Sequence, residues 1–130
     1  MIYSAEEFVR LRSSEHKAEY ERAALEEAPL SVWRDVIAGY PSCRKWVAHN
    51  KTVPLEILAD LCAFGADVRV FVAMKRSLSP ALFHRLSNDE DAVVRQQVAA
   101  NKNAPREVLE KLSRDSDEDV ARVARSNLQR

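Results

Sequence analysis

An all-α, right-handed α-solenoid of about four to five helical repeats of 25–26 residues, with a short N-terminal capping helix, is the fold this sequence predicts. Three observations predict it. A block recurs in register: Val47-Ala48-His49-Asn50, Val72-Ala73-Met74-Lys75 and Val98-Ala99-Ala100-Asn101, at steps of 25 and 26 residues. Apolar residues spaced by one, three and four mark single helix faces: Ile57, Leu58, Leu61; Leu82, Phe83, Leu86; Val108, Leu109, Leu112. Only 2 glycines occur among 130 residues, which disfavours an all-β chain built on tight turns.

The elements follow in chain order as one domain, residues 1–130. Residues 1–15 form the N-terminal cap, with a helix over 4–13 opened by Ser4 and Glu7 at capping-box spacing. Residues 16–40 read as a diverged repeat. A shift of 25 residues there pairs Ala23 with Ala48, Pro29 with Pro54, Trp33 with Leu58 and Val36 with Leu61. Residues 41–119 hold three clear repeats, and 120–130 a partial one. Each repeat reads as a longer helix opening near Pro54, Pro80 or Pro105, where proline suits a first turn. Thr52 and Ser79 stand ready as N-caps. Acidic turns such as Asn88-Asp89-Glu90-Asp91 and Asp115-Ser116-Asp117-Glu118-Asp119 follow, then a shorter helix from about Val68, Val94 or Val120. One helix pair cannot bury its apolar face alone, whereas stacked neighbours can.

Charge and composition narrow the function classes. With 20 basic and 20 acidic residues the formal net charge is zero, which argues against a non-specific nucleic-acid binder. The start is mildly acidic and residues 34–76 mildly basic, with 7 basic and 4 acidic groups. No apolar run reaches the ~20 residues of a membrane span, and residues 1–12 lack the apolar stretch of a secretion signal. Cys43 and Cys62 read as buried thiols of a cytoplasmic protein rather than as a disulfide scaffold.

The run Val94-Arg95-Gln96-Gln97-Val98-Ala99-Ala100-Asn101, with Ala104-Pro105, Val108-Leu109, Leu112, Asp115 and Asp117, resembles the leucine-rich repeat variant family, a helical relative in style of the HEAT repeats. The resemblance covers residues 41–130 and extends weakly to residue 16. It implies α-helices alternating with short 3-10-like or α pieces in a superhelix. One branch of that family binds an iron–sulfur cluster through an N-terminal group of cysteines. This chain has no such group, so no cofactor is expected.

Arg44, Arg69 and Arg95 recur at the same place in successive repeats, and Ala121 takes that place in the last. They read either as a ladder that grips carboxylates or phosphates, or as inter-repeat ties to acidic turns such as Asp67 or Asp91, the second being favoured. Asn50, Asn101 and Asn127 read as left-handed helix caps, with Lys75 breaking the series. Trp46 and Phe71 share a position with Gln97 and Val123. They read either as an aromatic pair at the surface or as enlarged core. The expected partner patch is Arg44, Trp46, His49, Arg69, Phe71, Lys75 and Arg95. His16, His49 and His84 share no metal-ligand spacing, and two glycines cannot build a phosphate loop, so neither a metal site nor a catalytic residue is expected. The reading that results is a non-enzymatic adaptor or single-target inhibitor, binding an unidentified protein on its concave face. The alternative is a HEAT-like nucleic-acid-binding or DNA-repair protein. The chain is expected to be a monomer or a weak dimer joined near Val120, Val123 and Leu128.

Overall fold

A computed structural model describes all 130 residues. It contains ten α-helices, one 3-10 turn and no strand. The chain forms two compact units, Met1–Phe64 and Gly65–Arg130.

The first unit holds α1 (Ala5–Arg12), α2 (Lys17–Leu25), α3 (Leu30–Gly39), a 3-10 turn (Pro41–Cys43), α4 (Arg44–His49) and α5 (Leu55–Leu61). The capping helix starts as its sequence requires, with the Glu7 N–H donating to Ser4 Oγ at 3.0 Å. The Glu7 carboxylate returns one residue early, accepting from the Tyr3 N–H. Phe8 of α1 meets Trp33 of α3 edge to face, ring centres 5.3 Å apart, both fully buried. Trp33 stands where the later repeats carry Leu58, Phe83 and Leu109, and it fills the wider space that the capping helix encloses. Its indole N–H is buried without a partner, a cost of about 1–3 kcal/mol that the burial of so large a ring offsets.

The second unit alternates α6 (Ala66–Ala73), α7 (Pro80–Ser87), α8 (Ala92–Ala100), α9 (Arg106–Leu112) and α10 (Glu118–Leu128). α8 packs on α6 and α10, and α7 packs on α9, giving two layers. Between them lie the expected faces, Leu82, Phe83, Leu86 and Val108, Leu109, Leu112 from one layer against Val72, Val98 and Ala124 from the other.

Three local expectations are corrected. The helix that opens at proline is the shorter one here: α7 and α9 run 8 and 7 residues, whereas α8 and α10 run 9 and 11. The second helices start two residues earlier than the apolar pattern alone indicated, at Ala66, Ala92 and Glu118, the last two behind acidic turns. Thr52 caps nothing. Pro54 holds the N-cap position of α5, and the Thr52 hydroxyl donates to Asn50 and to the Glu26 carbonyl. Ser79, by contrast, caps α7 through the Leu82 N–H. No residue adopts a positive φ. Turns that stay right-handed have no need of glycine, which is why two suffice.

Candidate interaction surface

The recurring arginines sort themselves by partner. In the second unit Arg69 donates from Nε and Nη2 to the two Asp89 carboxylate oxygens at 2.7 and 3.0 Å. Arg95 treats Asp115 in the same way, at 2.9 and 3.2 Å, and donates from Nη1 to the Asp89 carbonyl. These side chains are mostly buried, 15% and 16% exposed for the arginines and 8% and 10% for their partners. The geometry is that of the inter-repeat tie rather than of an open ladder. The partners named from sequence, Asp67 and Asp91, are not the ones used. Asp91 instead caps α8, and Asp117 caps α10. Each acidic turn thus divides its labour. Its first Asp takes the arginine and accepts the N–H of the second Asp, and that second Asp holds the next helix.

Burial pushes the Asp89 and Asp115 carboxyls upward, but the hydrogen bonds from Arg69 or Arg95 and from the turn N–H outweigh it. Both lie below the ordinary aspartate value. Arg69 and Arg95 are raised, first by those same hydrogen bonds.

In the first unit Arg44 has no carboxylate at the matching place. The register Phe64, Asp89, Asp115 puts an aromatic ring there, and the Arg44 guanidinium lies 4.0 Å from its centre. Arg44 Nε donates to the Ile37 carbonyl at 2.8 Å.

The asparagines are not left-handed caps. Asn50 has φ −58° and ψ 133°, Asn101 φ −71° and ψ 121°, and Asn127 lies inside α10. Asn50 and Asn101 are buried, and each reaches back one repeat. Asn50 Nδ2 donates to the carbonyls of Ala23 and Glu26, Asn101 Nδ2 to those of Ala73 and Lys75, and Asn127 Nδ2 to those of Ala99 and Asn101. The Oδ1 of Asn50 and of Asn101 accepts the N–H two residues on, at Thr52 and Asn103. One side chain therefore satisfies the frayed carbonyls of the preceding helix and shapes its own turn.

The remaining patch residues fall in both units. In the first, Trp46 is half-buried with the Arg12 guanidinium 3.6 Å from its ring centre and His49 edge-on at 5.6 Å, so one ring face is already covered. In the second, Phe71 and Lys75 are half-buried beside the exposed Met74. Val120 is completely buried, while Val123 and Leu128 are half-buried. No group of three His, Cys, Asp or Glu side chains is placed to hold a metal ion. No helix is long and apolar enough to cross a membrane.

The second unit also carries a surface the sequence reading passed over. A groove of about 170 Å³ has Arg76 and Lys102 on its walls. A second, of about 400 Å³, shares Lys102 and adds Arg106 and Arg130. A third, of about 240 Å³, shares Arg130 and adds Arg122. No Asp or Glu side chain lines any of the three. The signal was present in the repeat register, since Lys51, Arg76 and Lys102 recur at the same 25- and 26-residue steps as the block itself.

Residues 92–117 match the model of the leucine rich repeat variant family. This segment is similar to a leucine rich repeat variant. It begins with α8 and runs through α9 to the acidic turn, so it contains both Arg95 and Asp115. The matched segment therefore encloses its own tie, one arginine in a helix and one aspartate after the next. No curated protein and no solved structure is significantly similar to the chain.

Proposed function

We propose that the chain is a non-enzymatic protein-interaction module, with the outward faces of its second helices as the contact surface. One contrast carries this reading. The columns turned inward mostly keep their residue type, Arg44, Arg69, Arg95 and Asn50, Asn101, Asn127, with Ala121 and Lys75 the exceptions, because they fasten one repeat to the next. The columns turned outward change at every step: Trp46, Phe71, Gln97, Val123, and the exposed His49, Met74, Ala100, Ser126. A constant frame with a changing face supports recognition of one particular partner, as in other stacked-repeat proteins. The family supports an interaction role of this general kind. The two buried cysteines, joined in no disulfide, fit a reducing cytoplasm.

The test replaces Met74, which is 53% exposed, with Glu. Arg69 is left alone, because its loss would strip Asp89 of its partner. Tagged wild type and Met74→Glu are incubated with nuclease-treated host lysate. Retention of one protein by wild type and its loss from the variant is the expected outcome. Retention of nucleic acid before nuclease treatment and of nothing after it would replace this reading with the nucleic-acid one.

A further inference from the structure

Resting on the protein-binding reading above, we infer that the carboxylate-free grooves of the second unit take an acidic peptide segment of the partner, its carboxylates meeting Arg76 and Lys102. The ion pairs within this unit include Arg69–Asp89, His84–Glu107, Arg95–Asp115, Arg106–Glu110 and Arg122–Asp119. Arg76 and Lys102 belong to none of them. Both are exposed, and they line one groove together. An exposed cation without an internal partner keeps its full hydration, and only a ligand that brings anions gains from replacing it.

The walls between the cations decide the rest of the ligand. Met74 is exposed beside Arg76, and Leu109 and Leu128 lie in the adjoining groove. Gln97 adds an amide group suited to a peptide backbone. A segment that mixes Asp or Glu with aliphatic side chains matches this lining. Nucleic acid matches it poorly. No aromatic side chain lines the grooves, so bases have no ring to stack upon. The basic stretch is also short. At the start of α10 another groove carries Asp115, Glu118 and Asp119 beside Arg122 and Arg125, and α10 is only about 16 Å long at ~1.5 Å per residue. A long polyanion crossing the unit would meet those carboxylates. A short acidic peptide stays clear of them.

The test is fluorescence anisotropy on the full chain with three labelled probes: a short peptide alternating Glu and Leu, its Gln-for-Glu counterpart, and a short single-stranded DNA. The Glu peptide is expected to bind in low salt and to weaken as salt rises. The Arg76→Glu, Lys102→Glu double variant should bind about tenfold more weakly or worse. Arg114→Glu reverses an exposed cation outside the grooves and should match wild type. A circular-dichroism melt equal to wild type shows that the double variant is folded, and Lys102→Glu alone should lose affinity in the same direction. Equal binding of the Gln peptide, unchanged affinity in the double variant, or tighter binding of the DNA than of the Glu peptide would each overturn the inference. If the inference falls while Met74→Glu still abolishes retention of a lysate protein, only the acidic chemistry is wrong. If that retention is absent too, the protein-binding reading falls with it.

Discussion

Arg44 in the first unit and Arg95 in the second hold the same place in their repeats, yet they are fastened by different chemistry. Arg95 is clamped by a carboxylate and by backbone carbonyls. Arg44 has one carbonyl and the face of Phe64. The position needs a planar cation that reaches the next turn; it does not need an ion pair. A guanidinium serves both cases, since it can lie flat on a ring and can also fork onto a carboxylate. The asparagine column behaves differently. Asn50 and Asn101 make the same pair of backbone bonds in their separate units. Its targets are main-chain carbonyls, which are present whatever the side chains are.

That difference can be broken first at the asparagines. Asn101→Ala leaves the carbonyls of Ala73 and Lys75 without their buried donor and frees the turn at Asn103. Urea unfolding should show a loss of about 3 kcal/mol. Asn50→Ala should lose a similar amount, and a loss below about 1 kcal/mol at either site would show that water replaces the amide.

The arginine column should give the next largest effect, and pH should divide it. Arg95→Leu is expected to cost about 2 kcal/mol near neutral pH, because it leaves a mostly buried Asp115 unpaired. Asp115 has its folded pKa below the ordinary value of ~3.9. Its contribution is therefore present above that ordinary value and is lost as pH falls through the folded one. A double-mutant cycle of Arg95 with Asp115 should show coupling at neutral pH that fades in strong acid. The Arg44–Phe64 cycle should be smaller, about 1 kcal/mol, and unaffected over the same range, because the pair contains no carboxylate. Phe64→Asp would import the second unit's chemistry into the first and should make the Arg44 coupling acid-sensitive.

The smallest effect is expected at the covered face of Trp46. Arg12→Ala should cost about 0.5–1 kcal/mol by removing the guanidinium from the exposed side of that ring, and should raise accessibility of Trp46 to a fluorescence quencher. Unchanged quenching would mean that the ring is closed by something other than Arg12.

Much of this was legible in the chain. The period shows in blocks that recur along the chain, and the apolar faces of α5, α7 and α9, the capping helix and the Ser79 cap follow from residues within one or two helical turns of each other. Spacing over so short a range fixes which side chains share a face. The interaction surface was legible only in part. Met74, Arg76 and Lys102 stand out once Arg69 and Arg95 are seen to be occupied, and occupancy is not a property of spacing.

By itself the sequence determined that helices would recur every 25 or 26 residues and which residues each would bury, because burial in a repeat is set by local periodicity. Only the tertiary structure decided how the repeats are fastened and which cations remain unpaired. Arg69 finds its carboxylate 20 residues away, and Asn101 a carbonyl 28 residues away. Both are contacts that exist only after one repeat has stacked on the next. The acidic turn offers two aspartates in the same stretch of chain. Which one takes the arginine and which one caps the helix depends on angles between elements, a quantity that no spacing along the chain contains.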